Sequence, residues 1–153
     1  MNGLFFPGNI ERWLMEKFSE IYDHKIVKKL SNNHYQIKLT VTDWSRNKHK
    51  IVHGGIQSLM IDHTAFVLIN DWFPKGRFVT TTLTVNYHKM VRSLDMLAEF
   101  KLEHINNSNG QVSVKLSSMN GTLLTSGTVD FHCFFKSIDK WPKYLYNKLL
   151  TKG

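Results

Sequence analysis

Asp62 is a carboxylate set in an apolar run, Leu59-Met60-Ile61-Asp62-His63-Thr64-Ala65-Phe66. At helical spacing its neighbours are Ser58, Leu59, Ala65 and Phe66, so the group is expected to be largely desolvated. Such a charge is either satisfied structurally, by Thr64, His63 or a backbone donor, or it is a general base or nucleophile whose proton affinity burial raises. Upstream stands His53-Gly54-Gly55. Two glycines strip side chains from the first turn of a helix, where backbone N–H groups lack intrahelical partners and the positive end of the dipole points outward. That suits a ligand oxygen, above all a carbonyl becoming an oxyanion. The plainer alternative is a helix start with a close backbone contact.

Other chemistries find less support. His49 and His53 have the four-residue spacing of a metal pair on a helix, but Ile51, Val52 and the glycines make this segment extended or looped. No Glu follows His49 as the metallohydrolase pattern requires, and no metal is expected. His63, His88, His104 and His132 read as core or surface histidines. The one cysteine, Cys133, reads as an inert core thiol and excludes both an intramolecular disulfide framework and a cysteine zinc site.

The elements that must position these residues follow from periodicity. A helix is expected over about 9–22, capped by Asn9, with Ile10, Trp13, Leu14, Phe18, Ile21 and Tyr22 on one stripe. Short strands at Ile26–Leu30 and Tyr35–Val41 precede a polar loop over Asp43–Lys50. Gly54–Phe73 is apolar nearly all round and predicts a buried helix, ended by Pro74-Lys75-Gly76. Strands follow over Phe78–His88, with Val79, Leu83, Val85 and Tyr87 on one side, and over Met96–His104. A turn at Asn106–Gly110 leads to Gln111–Met119 and Thr122–Cys133, a hairpin about Asn120-Gly121. The economical solution is a single α+β domain over 1–153, with an antiparallel sheet wrapped around one long central helix.

With 153 residues, 42% hydrophobic, the chain fits one domain and is not of disordered composition. No run approaches a membrane span, and Leu4-Phe5-Phe6 is too short for a signal core. The reading is therefore a soluble intracellular protein, cytoplasmic, with the mitochondrion as alternative. Twenty basic against twelve acidic residues give a net charge of +8, which favours anionic partners without choosing among them. The cations are dispersed, and no compact nucleic-acid-binding block stands out.

The segment Asn47-Lys48-His49-Lys50-Ile51-Val52-His53-Gly54-Gly55, followed by Asp62, resembles the signature of the PaaI-like hotdog-fold acyl-CoA thioesterases. In that signature an Asn lies six residues before the His of His-Gly-Gly and an acidic residue nine after it; both spacings hold. Thr80 matches a Ser or Thr of the strand that ends in Val85-Asn86-Tyr87. The resemblance covers about 25–133 and leaves 134–153 as an extension. It implies a homodimer or homotetramer with shared sites and hydrolysis of acyl-CoA to free acid and CoA. The Gly54 N–H, with Gly55 nearby, would polarise the thioester carbonyl. Asp62 would be base or nucleophile, Asn47 would orient the carbonyl or the water, Thr80 would hold the water and His53 would set the loop. No cofactor is implied, since coenzyme A belongs to the substrate.

The phosphates of CoA call for cations or backbone donors at the pocket mouth. The turn after Tyr87 offers His88, Lys89 and Arg92, with Asn109, Gly110 and Gln111 expected opposite. Two departures stand out: Lys50 replaces a common Gly, and Met90-Val91-Arg92-Ser93-Leu94 replaces a Pro-Gly turn. They keep a non-catalytic acyl-CoA or lipid-binding hotdog protein as the alternative. Neither a nucleic-acid partner nor stable membrane insertion is expected.

Overall fold

A computed structural model of the chain describes residues 21–31, 33–72, 77–106 and 108–134. The chain order is β1 (Tyr22–Ser31), β2 (His34–Val41), a 3-10 turn (Asp43–Ser45), α1 (Gly54–Trp72), β3 (Arg77–Tyr87), β4 (Asp95–Asn106), β5 (Asn109–Ser117) and β6 (Leu123–Phe134). The strands form one antiparallel sheet in the order β1-β2-β4-β5-β6-β3. Between β2 and β3 the chain passes through α1, which packs on β3, β4, β5 and β6 and carries the chain to the far edge of the sheet.

The core lies between α1 and the alternate residues of the central strands. Met60, Ile61, Ala65, Leu68 and Ile69 of the helix meet a sheet face built from Ile37, Leu39, Ala98, Phe100, Val112, Val114, Val129 and Phe131, all buried. Alternation in β2 and β5, in β4 up to Leu102 and in β6 from Thr125 on reflects this one-sided burial. At the Asn120-Gly121 hairpin, Gly121 takes φ 87°, a left-handed conformation, and its N–H reaches Ser118 O at 2.9 Å.

Element boundaries differ from the sequence expectation at three places. The helix expected over 9–22 lies outside the described residues up to its last two; there Ile21 is in a turn and Tyr22 opens β1. β1 is longer than the expected Ile26–Leu30, and its register shifts at two places break the period of two that marks a strand. The Asp43–Lys50 segment is a loop as expected, opened by the 3-10 turn, with Arg46 bridged to Val52 and Lys50 at φ 59°. The turn expected at Asn106–Gly110 is tighter, since Asn106 ends β4 and Asn109 begins β5, paired to each other.

β3 departs most from its pattern. It is an edge strand, exposed along most of its length, and its register against β6 slips by one residue at Thr81. Before the bulge, Phe78 and Thr80 face α1; after it, Val85 and Tyr87 do, with Leu83 in the same phase. Val79 is therefore on the opposite face from Leu83, Val85 and Tyr87, not on theirs.

Candidate active site

The start of α1 is held from several sides. The His53 carbonyl accepts the N–H groups of Ile56 at 3.0 Å and Gln57 at 3.1 Å, which leaves the Gly54 and Gly55 N–H groups without acceptors among the described residues. His53 itself is exposed, and its N–H donates to Ser45 O at 3.0 Å, so its backbone seats the loop. Gln57 is buried; its Nε2 donates to Val52 O at 2.9 Å, and its Oε1 accepts the Thr125 hydroxyl of β6. On the other side the Tyr87 hydroxyl lies 3.0 Å from Gly54 O and 2.7 Å from Ser58 Oγ. A Cβ at Gly54 would stand 3.3 Å from the Tyr87 ring, a tight contact, so glycine eases the approach of this ring to the helix end. Sequence reasoning missed Gln57, Ser58 and this use of Tyr87, because their partners are distant in the chain.

Asn47 makes the loop that precedes α1. Its Oδ1 accepts the N–H groups of His49 at 2.9 Å and Ile51 at 3.2 Å, and its backbone N–H donates to Ile51 O at 2.8 Å. The carboxamide oxygen is thus used inside the loop, and only the NH2 end remains to meet a carbonyl oxygen.

Asp62 is half-buried on α1, less desolvated than its apolar neighbours imply. Its partner is neither Thr64, whose hydroxyl donates to Met60 O at 2.8 Å, nor a backbone donor, but Thr80 of β3, whose hydroxyl donates to Asp62 Oδ1 at 2.7 Å. Beside it, the buried His63 shares a hydrogen bond at Nδ1 with the Tyr22 hydroxyl. Burial first, and the Asp62 charge second, push the Tyr22 phenol well above its ordinary range, so that it stays neutral.

The structure does not bring the whole predicted set together within one chain. Gly54 and Asp62 are separated by eight residues of one helix, about 12 Å along its axis at 1.5 Å per residue. One carbonyl group cannot meet both.

The residues expected to hold phosphates are also divided. His88 bonds Ser126 Oγ at 2.8 Å, and the His88 and Lys89 N–H groups share Leu124 O. Arg92 is not a free turn cation: its Nη1 donates to His49 O at 2.9 Å, and its own carbonyl accepts Arg46 Nη1 at 3.3 Å. Together with the Val52 N–H to Val91 O bond, it ties the Asn47–Gly54 loop to the chain after β3. Asn109 and Gly110 lie across β6 from Val79 and Thr80, whereas Tyr87 aligns with Thr125 and Leu116. Seven residues of β5 between Asn109 and Leu116 span about 24 Å, so Asn109, Gly110 and Gln111 stand at the opposite end of the sheet from His88, Lys89 and Arg92. Gly110 is buried under the Phe131 ring, whose Cζ is 2.4 Å from where a Cβ would sit, and its backbone is in the strand ladder. Gln111 donates to Asp130 Oδ1 at 2.7 Å and Asn109 Oδ1 meets His132 Nδ1 at 2.8 Å.

Among the described residues no group of three or more His, Cys, Asp or Glu is placed to hold a metal ion. No helix among them is long and apolar enough to cross a membrane.

The sequence matches the thioesterase superfamily over residues 49–125, a stretch that holds the α1 start, Asp62, Thr80 and Tyr87. The chain belongs to this superfamily. Solved structures agree on the fold. A hypothetical thioesterase with coenzyme A from Streptococcus pneumoniae TIGR4 is 17% identical, with TM-score 0.68, covering 82% of this chain and 97% of that one. A Streptococcus mutans UA159 protein bound to acetyl CoA is 18% identical, with TM-score 0.64, covering 73% and 89%. The Escherichia coli PaaI protein from the phenylacetic acid degradation operon is 16% identical, with TM-score 0.63, covering 73% and 80%. Among curated proteins none matches the chain. The sheet and the long helix packed on it are thus the hotdog fold, shared with the PaaI protein.

Proposed function

We propose that the protein hydrolyses acyl-CoA to the free acid and coenzyme A, in a dimer whose sites each draw on two copies of the chain. The observation that carries this reading is the pairing of Asp62 with Thr80 on the helix whose Gly54 N–H stands open. Water, deprotonated by the Asp62 carboxylate, adds to the thioester carbonyl. The oxyanion is met by the Gly54 N–H at the positive end of α1, with the Asn47 NH2 group as a further donor. The tetrahedral species then expels CoA thiolate, which takes up the proton from Asp62. Thr80 orients the carboxylate by its hydrogen bond and is a positioning residue.

The 12 Å gap along α1 is what calls for the second copy. β3 is an open edge with Val79, Leu83 and Tyr87 at 48%, 38% and 54% exposure. Two copies pairing antiparallel along β3 about a two-fold axis set the Tyr87 end of one strand against the Thr80 end of the other. Gly54 of one copy, which touches Tyr87, then approaches Asp62 of the other, which touches Thr80. Acyl-CoA as the thioester is supported by the coenzyme A and acetyl CoA bound in the streptococcal structures. Lys89, exposed two residues after Tyr87, whose hydroxyl touches the α1 start, is a cation on offer for a phosphate there.

The test is CoA release followed with a thiol-reactive dye over short, long and aromatic acyl-CoAs. Cys133 does not interfere: it is the one cysteine, and burial pushes its thiol up to about 11. Asp62→Asn keeps the shape and is expected to fold, while turnover falls about 100-fold or more, the usual size of a general-base effect. Turnover near the wild-type value in that variant removes Asp62 from the mechanism. Tight binding of acyl-CoA by the wild type with no release would instead favour a non-catalytic carrier.

A further inference from the structure

Just beyond Asp62 and Thr80, two aromatic rings meet between α1 and β3. Phe66 follows Asp62 by one helical turn, and Phe78 precedes Thr80 by one pleat, so each ring projects from the same side of its element as the pair it flanks. The Phe66 and Phe78 ring centroids are 4.8 Å apart, tilted by 46°. Both rings are half-buried and so not sealed in the core. Phe131, buried, meets Phe78 edge-on at 6.5 Å and fills the space that a side chain at Gly110 would take. Phe78 is therefore backed by a packed ring, which gives it little freedom to retreat.

We infer, on the thioesterase reading above, that the Phe66–Phe78 contact is the end wall of the acyl pocket and restricts the enzyme to short acyl groups. Four residues of helix place Phe66 about 6 Å along the axis from Asp62, so the wall stands only a few methylene lengths from the reacting carbon. Of the two ends of an acyl-CoA, only the acyl end gains by meeting aromatic carbon; the nucleotide end needs water and cations. An acyl group longer than the gap must displace one ring from the other, and in a close-packed site that is unfavourable.

The experiment compares kcat/KM for straight-chain acyl-CoAs of increasing length in the wild type, Phe66→Ala and Phe66→Leu, with thermal unfolding of each. The wild type is expected to fall off sharply after the first few carbons. Phe66→Ala is expected to move the optimum to longer chains, with about a fourfold gain for each further methylene that enters the opened space. Acetyl-CoA turnover should change much less. Phe66→Leu should give a smaller shift in the same direction, and it carries the test if the Ala variant does not fold. An active enzyme whose variants keep the wild-type length profile, or lose activity equally on every chain, overturns the end wall and leaves the thioesterase reading intact. A wild type inactive on every acyl-CoA removes that reading and the wall with it.

Discussion

Lys50 holds φ at 59° in the loop that leads to His53, at the position where the thioesterase signature has glycine. The conformation is imposed from both sides: Lys50 N–H donates to Asn47 O at 2.9 Å, and Asn47 Oδ1 takes the flanking amides of His49 and Ile51. A left-handed conformation costs an L-residue about 1–2 kcal/mol. Its ammonium lies 3.5 Å from Asp43 Oδ2 with both groups well exposed, a pair that offsets little of this. Lys50→Gly should therefore stabilise the fold by about 0.5–1 kcal/mol after the greater unfolded-state entropy of glycine is subtracted. Urea unfolding checks it, and a loss of stability would show that the lysine side chain matters more than its backbone. Gly110 works in the reverse sense. Because Phe131 Cζ would be 2.4 Å from its Cβ, Gly110→Ala should destabilise by about 1–3 kcal/mol through overpacking, read from the same urea midpoint.

At the scale of elements, what the sequence made legible tracks how regularly each segment is buried. α1 starts at Gly54 as expected because the glycines and the apolar run mark the same boundary. β2, β4, β5 and β6 show alternation because one face meets the helix and the other water. β3 defeats that logic twice, as an edge with little burial and as a strand whose phase changes at Thr81. The same limit applies to the site. Asp62 and Gly54 stand out by residue type and Asn47 and Thr80 through the resemblance, but which of them touch was not legible. The Thr80–Asp62 bond depends on the bulge and the Gln57–Thr125 bond on how β6 passes under the helix, while the Tyr87 contact is eased by Gly54 lacking a Cβ. Arg92 and Gly110 show the converse error, since residue types suited to phosphate are here used for loop bracing and ring packing.

For the whole molecule, the prediction concerns assembly. Leu83 lies near the middle of β3, so antiparallel pairing of two copies about a two-fold axis sets it close to its own counterpart. Leu83→Lys would oppose two like charges there and is expected to yield monomers at micromolar concentration, measured by light scattering. On the proposed site shared by two copies, acyl-CoA turnover should fall together with the dimer population. A variant that keeps the wild-type mass places the association elsewhere. The bulge at Thr81 bears on the same edge through strand length. Thr80 and Tyr87 lie seven residues apart, an odd number that strict alternation would turn to opposite faces, and the extra residue taken up at Thr81 is what lets both face α1. Related chains should therefore combine an odd spacing between the Thr80 and Tyr87 positions with a bulge, and an even spacing with none. Spacing and bulge are one inherited trait, changed together.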